Sequence, residues 1–285
     1  MLPSRELGVI RNGLVVLLAT SAAVVLLAGP AADASASSAL LYNYEFEGAD
    51  GTVANSAPNG PVAPLSLYGE WQPVPAGVQF AGDTAGQQSV AYGRPTSGNT
   101  IDEPPTRSVG VGTRFVYQAP STGRCFPDTP NITQLGRYYR HETQAKIQLS
   151  SCLASQGNVF AECRFAGSLT VRSTGPVISS MALVSGNTYN VTCVKSPDSG
   201  NNTTVKLTVT NYGPVEAGST VTNTFTVAAV GAMKSTEFVS AGNKYPLPEP
   251  ANNTDQFNGD VTSAVYCSGE QGPVTTCLNA TLPSS

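Results

Sequence analysis

Short runs in which apolar and polar residues alternate dominate the chain after residue 40. Alternation at a period of two places one set of side chains on each face of a β-strand, so that one face contacts a core and the other water. The clearest runs are residues 42–47, 144–149, 189–193 and 205–209. Turn-forming dipeptides lie between them, at Asp50-Gly51, Asn59-Gly60, Ser199-Gly200 and Asn258-Gly259. Spaced short strands joined by such turns predict an all-β fold, with two antiparallel sheets in a jelly-roll sandwich.

The first residues have the layout of a secretory signal peptide. Arg5 and Arg11 precede an apolar run over residues 13–29, and small residues suited to cleavage follow at Ala32 and Ala34. The alternative is an uncleaved membrane anchor, but the run is shorter than the roughly 20 residues needed to span a bilayer. We predict a signal helix within residues 1–36, one jelly-roll domain over residues 37–285 with no membrane span of its own, and a secreted, extracellular protein.

The composition excludes one large class of partner. Charged residues make up only 12% of the chain, and the formal net charge is −4. A nucleic-acid-binding domain carries a clustered basic surface, whereas the basic residues here are scattered. We therefore predict no nucleic-acid partner. The sequence does not specify an oligomeric state.

Six cysteines follow the predicted signal peptide: Cys125, Cys152, Cys163, Cys193, Cys267 and Cys277. An even number in a secreted chain predicts disulfides, with 15 connectivities open. Bridges between neighbours in sequence give Cys125–Cys152, Cys163–Cys193 and Cys267–Cys277. Zinc is the alternative, but no CxxC pair is present and His141 is the only histidine. The residues after Cys277 are predicted to form an irregular, frayed end.

Several segments resemble a known superfamily. YEFEGADGTVANSAPNG at residues 44–60, GVQFAGD at 77–83, and FVSAGNK with DQFNGDVTSAVYC at 238–244 and 255–267 follow one another in a familiar order. Together they resemble the concanavalin A-like lectin/glucanase superfamily in its bacterial laminin-G-like form. AECRFAGS and NVTCVKS, which contain Cys163 and Cys193, are similar to a cysteine pair in secreted actinobacterial members.

The resemblance implies two antiparallel sheets with a concave face that is often used for ligands. It does not decide the function, because the superfamily includes lectins, glycosidases, adhesion modules and structural proteins. The glucanase members carry a Glu-x-Asp-x-x-Glu run, which this chain lacks. Glu45 and Glu47 would share one face of a strand without a third acid, and His141 has no serine or cysteine nucleophile motif near it.

Related sandwiches often hold a structural calcium ion between the first and last strands. Calcium requires six to eight oxygen ligands. The candidates here are Glu45, Glu47, Asp83, Asp255 and Asp260. However, Thr262 occupies the position where the closing strand of the family usually has an acid.

Aromatic side chains can serve as flat platforms for sugars. The candidates are Trp71, Tyr117, Tyr138 and Tyr139. Trp71 fits a core position on an early strand equally well. Tyr138 and Tyr139 place one ring on each face of a strand, so that one can be buried and the other exposed.

The first hypothesis for function is a secreted, noncatalytic module that binds a polysaccharide or glycoconjugate. Two alternatives stay open at this point. One is a cell-envelope or matrix protein that acts through protein contacts. The other is an atypical glycoside hydrolase, which would need two acids that face each other across the concave sheet.

Overall fold

Alternating segments form the strands of the computed structural model, which describes residues 38–80, 89–119, 129–136, 143–150, 158–169, 174–215, 217–244 and 255–283. These residues contain eighteen strands and one helix. The first nine strands are β1 (Ala39–Glu45), β2 (Thr52–Val53), β3 (Leu65–Gly69), β4 (Trp71–Val74), β5 (Gly77–Phe80), β6 (Ser89–Gly93), β7 (Ile101–Glu103), β8 (Ser108–Tyr117) and β9 (Asn131–Leu135). The others are β10 (Gln144–Leu149), β11 (Phe160–Ala166), β12 (Val177–Ala182), β13 (Thr188–Lys195), β14 (Asn202–Asn211), β15 (Thr220–Ala228), β16 (Met233–Ser235), β17 (Val239–Ala241) and β18 (Gly259–Gly269). The helix α1 is Gln271–Thr281.

The strands form two large antiparallel sheets, as the sequence predicts. The first sheet has the order β15-β14-β13-β8-β18-β5-β4, and β1 also pairs with β18. The second has the order β12-β11-β10-β9-β17-β6-β3-β2, and β7 pairs with β16 in a small third sheet. The closing strand β18 therefore lies in the middle of the first sheet, where it pairs with β1, β8 and β5.

The core contains the apolar side chains of the alternating runs. In β14, for example, Val205, Leu207 and Val209 are fully buried. The polar ends of buried tyrosines are also satisfied, since the hydroxyl of Tyr42 donates to the carbonyl of Thr100 and that of Tyr44 to the carbonyl of Ala63. The alternation thus correctly predicts both the strands and their inward faces.

Two of the three predicted disulfides are confirmed. Cys163 on β11 is bonded to Cys193 on β13, so this bridge joins the second sheet to the first. Cys267 at the end of β18 is bonded to Cys277 in α1. Cys125 and Cys152 lie outside the described residues, as does the predicted signal peptide.

Helix α1 continues past Cys277 to Thr281, so the prediction of an irregular, frayed segment directly after Cys277 is wrong. Val274, Leu278 and Leu282 of this segment are buried. They lie over Gly110 and Gly112 of β8, where a Cβ atom on either glycine would come within 3.0 Å of their side chains. Glycines on the sheet therefore leave the space that α1 fills. In the described segments no helix is long and apolar enough to cross a membrane.

Asn258-Gly259 leads into β18, as the turn signal predicts. Gly259 has φ = 144°, and a Cβ atom there would lie 2.2 Å from the carbonyl oxygen of Val116. Only glycine fits this backbone conformation and this close approach.

Candidate functional site: a polar row on the second sheet

One row of side chains crosses six adjacent strands of the second sheet. The row consists of Ser66, Tyr92, Ser240, Gln134, Lys146 and Arg164, from β3, β6, β17, β9, β10 and β11. Each member is the direct cross-strand partner of the next, so all six project from the same face. Because neighbouring strands lie about 4.8 Å apart, this polar row is about 24 Å long.

The polar row projects away from the core. The residues that alternate with its members, Leu135, Ile147, Cys163 and Val239, belong to the hydrophobic core. Nevertheless, the centre of the row is enclosed. Gln134 and Ser240 are fully buried, and Lys146 is only 5% exposed. Polar residues on the outer face of a sheet are usually solvated, so this enclosed face is unusual.

A buried carboxylate lies beside the row. Glu162, on the same face of β11 as Arg164, accepts hydrogen bonds from the guanidinium of Arg164 and from the side-chain amide of Gln148, the latter at 2.7 Å. Burial raises the pKa of Glu162, although Arg164, Lys146 and Gln148 each act to lower it. The carboxylate is thus held in place by one donor from its own strand and one from the neighbouring strand β10.

Lys146 has cations and anions around it but belongs to neither ion pair of this face. Those pairs are Arg164 with Glu162, and Lys244 with Asp255 at 3.0 Å. Burial, together with the nearby cations Lys244 and Arg164, lowers the pKa of Lys146 to about 8, although Asp255 and Glu162 act to raise it. Without another anion nearby, the charged ammonium of Lys146 is therefore less stable than that of a lysine exposed to water.

Three acceptors near Lys146 have no hydrogen-bond partner among the described residues: Oε1 of Gln134, Oε1 of Gln148 and Oγ of Ser240. The amide orientations are well determined, because the Nε2 of Gln134 donates to the carbonyl of Gly136 at 2.6 Å and that of Gln148 to Glu162. Flipping either amide would place an oxygen against an oxygen. A buried acceptor without a partner is costly, so these three oxygens could each accept a hydrogen bond from a group beyond the described residues.

The other end of the row is aromatic. The rings of Tyr92 and Tyr68 are stacked, with centroids 4.8 Å apart and planes at 26°. Phe238 contacts the edge of Tyr92 from the same face. Tyr68 is 40% exposed, so its ring offers a flat apolar surface to solvent at the open end of the polar row.

A separate groove lies on the outer face of the first sheet, beside α1. Its volume is about 270 Å³. Hydroxyls and amides dominate its lining, which consists of Asn190, Thr192, Thr208, Thr210, Tyr212, Thr220, Asn279 and Leu282. The guanidinium of Arg114 lies 5.0 Å from the centre of the Tyr212 ring.

Of the aromatic residues predicted as a sugar platform, the structure describes Trp71 and Tyr117, and neither is a member of the polar row. Trp71 is half-buried and packs against the core, and Tyr117 is a core residue with 5% exposure. The ring of Tyr117 therefore has no face open to a ligand. Tyr138 and Tyr139 lie outside the described residues. Tyr68, which is exposed and stacked on the half-buried Tyr92, has the character expected of such a platform.

The predicted calcium ligands that the structure describes have separate environments. Glu47 is exposed, Asp260 accepts a hydrogen bond from Gln118, and Asp255 pairs with Lys244. Asp83 lies outside the described residues. In the part of the chain that the structure describes, no three His, Cys, Asp or Glu side chains form a group that could hold a metal. Calcium stays a prediction, which a thermal melt with and without chelator tests.

Sequence reasoning missed the polar row, although one signal for it was present. The alternating run 144–149 gives Gln144, Lys146 and Gln148 as its polar side, and we expected that side to face water. All three are buried. The run predicts the strand and its two faces, but only tertiary structure reveals that the polar face is enclosed.

Comparison with known proteins adds little beyond the fold class. No protein-family model and no curated protein matches the chain. Similar solved structures include the "Binding domain of Botulinum Neurotoxin DC in complex with SialylT" (8% identity, 86% of this chain and 52% of that chain, TM-score 0.46). Another is the botulinum neurotoxin serotype G binding domain (7% identity, 85% and 50%, TM-score 0.48). An endo-1,3-beta-glucanase from Streptomyces sioyaensis is similar over 82% of this chain and 97% of its own, with 12% identity and a TM-score of 0.40.

The chain spans about half the length of these neurotoxin binding domains. Likenesses with such low identities and TM-scores carry no argument about function. The similarity to the concanavalin A-like superfamily is therefore a resemblance in sequence motifs. The structure is an antiparallel β-sandwich of two eight-stranded sheets, followed by the helix α1.

Proposed function

We propose that the protein is a secreted, noncatalytic module that binds a polysaccharide or glycoconjugate along the polar row. One observation carries the proposal: buried acceptors without partners among the described residues lie on the same face as the exposed ring of Tyr68, which stacks on Tyr92. Ligand sites combine apolar and aromatic surface with a few placed polar groups that fix orientation. The polar row has both parts.

A glycan suits this arrangement because of its chemistry. Sugar hydroxyls can donate to the Oε1 atoms of Gln134 and Gln148, and the apolar face of a sugar ring can lie on Tyr68. A polymer would extend along the row from the aromatic end to the enclosed centre. Replacing missing hydrogen bonds at buried acceptors favours binding, because those acceptors are otherwise left unsatisfied.

The noncatalytic character is supported by the state of the two carboxylates. A glycosidase requires two carboxyl groups positioned on either side of the scissile bond. At the polar row, Glu162 is held by Arg164 and Gln148, and Asp255 is paired with Lys244. Both carboxylates thus have structural partners of their own. Secretion is supported by the N-terminal sequence and by the two disulfides, which are typical of oxidising compartments.

A glycan array with the protein lacking residues 1–36, followed by calorimetry with the best ligand, tests the proposal. Tyr68→Ala is expected to weaken binding by about 2- to 13-fold, since an aromatic contact contributes about 0.5–1.5 kcal/mol. Tyr212→Ala is the matched control, because Tyr212 is similarly exposed at 37% but lies on the outer face of the other sheet.

Equal losses of affinity in the two variants would contradict the assignment of the polar row as the ligand face. Loss of binding in Tyr212→Ala alone would place the ligand in the groove beside α1. Absence of binding to all plant, fungal and bacterial glycans on the array would contradict glycan binding itself. A pull-down from cell fractions with the same protein would then identify a protein partner.

A further inference from the structure

We infer that the polar row selects acidic glycans, with a carboxylate or sulfate group of the ligand bound by the ammonium of Lys146 and neighbouring sugar hydroxyls bound by the side-chain oxygens of Gln134 and Gln148. This inference rests on the proposed function and specifies the ligand class of the same site. It follows from the charges, the unpaired acceptors and the order of groups along the row.

The charges at the enclosed end of the row do not balance within the described part of the chain. Three cations, Lys146, Arg164 and Lys244, face two carboxylates, Glu162 and Asp255. Each carboxylate already has a cationic partner in an ion pair. Among the described residues, the surplus positive charge therefore belongs to Lys146. The whole chain carries −4, so this local surplus runs against the average charge of the protein.

The surplus cation is also the most enclosed of the three. Lys146 is 5% exposed, whereas the side chains of Lys244 and Arg164 are 25% and 29% exposed. A buried charge without a partner is costly, and an anion supplied by a ligand would offset that cost. A neutral hydroxyl could accept from the ammonium as well, but a hydrogen bond between two charged groups is considerably stronger.

An anion alone does not complete the site. The Oε1 atoms of Gln134 and Gln148 need donors, and an ionised carboxylate or sulfate has none. Cross-strand pairing places Gln134 directly beside Lys146, and Gln148 lies two residues further along the same strand and so on the same face. The ligand must therefore present an anion and hydrogen-bond donors within one or two strand spacings. Acidic sugars carry both on one ring.

The predicted pH dependence has a definite sign. The described groups that face Lys146 are Lys244 and Arg164, which lower its pKa, and Asp255 and Glu162, which raise it. With burial, they place the pKa of free Lys146 at about 8. Binding of an anion requires the ammonium, so affinity is at its maximum below this pKa and falls as pH rises through it. The decrease is expected to approach about tenfold per pH unit above about pH 8.

Matched polymers test the inference by calorimetry with the protein lacking residues 1–36. The first pair is polygalacturonate and its methyl ester, and the second is dextran sulfate and dextran. The wild-type protein at pH 7 is expected to bind the charged member of at least one pair at least tenfold more tightly than the neutral member. That preference is expected to decrease sharply at pH 9.5, while binding to the neutral member stays constant.

Two lysine variants separate the role of Lys146 from general charge. Lys146→Met should abolish the preference without lowering the melting temperature, because it removes an unpaired buried charge. Lys206→Met is the control, since it removes a lysine from the first sheet. This variant should prefer the charged polymers as strongly as the wild type does. A Lys146→Met variant that keeps the preference would overturn the assignment of this residue.

The remaining outcomes distinguish this inference from the proposed function. Binding to neutral glycans with equal affinity for both members of each pair would overturn the acidic-glycan inference and leave glycan binding intact. Absence of binding to every glycan would overturn both. Polyglutamate that binds as tightly as the charged polysaccharide would show recognition of an acidic peptide, and would also overturn the inference.

Discussion

Replacing Asp198 with alanine is expected to lower the free energy of unfolding by about 3–5 kcal/mol, because it removes one partner of a buried ion pair. The carboxylate of Asp198 lies 3.0 Å from the ammonium of Lys195, and the two side chains are 8% and 1% exposed. Asp198 also accepts backbone hydrogen bonds from Val230 and Gly231. Burial lowers the pKa of Lys195 even though Asp198 raises it, so removal of the carboxylate leaves an ammonium in an unfavourable environment.

Urea denaturation of the wild type and the variant measures this effect. Asp102→Ala is the control, because Asp102 and Lys234 form an exposed ion pair at 3.6 Å. Exposed pairs contribute about 0–1 kcal/mol, so this control should stay close to the wild type. A stability loss in Asp198→Ala no larger than that of the control would show that the buried pair does not contribute as the structure indicates.

The second large effect concerns the bridge between the sheets. Cys163→Ala/Cys193→Ala is expected to cost about 3–4 kcal/mol, since the bridge closes a loop across a separation of 30 residues. The chain-entropy model gives a smaller cost, about 2–3 kcal/mol, for Cys267→Ala/Cys277→Ala, whose separation is 10 residues. Guanidinium denaturation of both double variants gives the two values side by side.

The reverse order of stabilities would contradict the loop-length argument. It would indicate that the packing of α1, which Cys277 joins to β18, matters more than the connection between the sheets. Leu278→Ala then becomes informative, because it weakens the same helix contact without breaking a disulfide and should itself cost about 2–5 kcal/mol.

Several features of the fold follow from local sequence signals. The alternating runs predict β1, β10, β13 and β14, and Asn258-Gly259 predicts the start of β18. The disulfides at Cys163 and Cys267 follow from neighbour pairing. Each of these signals depends on residues that are close in sequence, or on a constraint as simple as an even number of cysteines.

The C-terminal helix was not predictable in the same way. Residues 271–281 contain a glycine, a proline and several threonines, all of which are poor helix formers in the interior of a helix. The helix is stabilised instead by burial of Val274 and Leu278 over two glycines of β8. Those glycines lie more than 150 positions earlier in the chain, so no local pattern indicates the contact.

The polar row has a similar explanation. Its members come from six strands that are distributed between Ser66 and Ser240. The sequence assigns the polar side of each strand, but it does not tell which polar sides become neighbours. The register between strands decides this, and with it the surplus charge at Lys146.

The central position of β18 determines when the first sheet can assemble. Its earliest strand, β1, has no other partner strand in this sheet within the described chain, and Ala39 pairs with Ser268 near the opposite end of the sequence. Such distant pairings make folding slow compared with that of helical proteins. A nascent chain without its last residues would display unpaired edges on β1, β5 and β8, which are templates for association with other chains. These edges become protected only after β18 has been synthesised and has paired with all three strands.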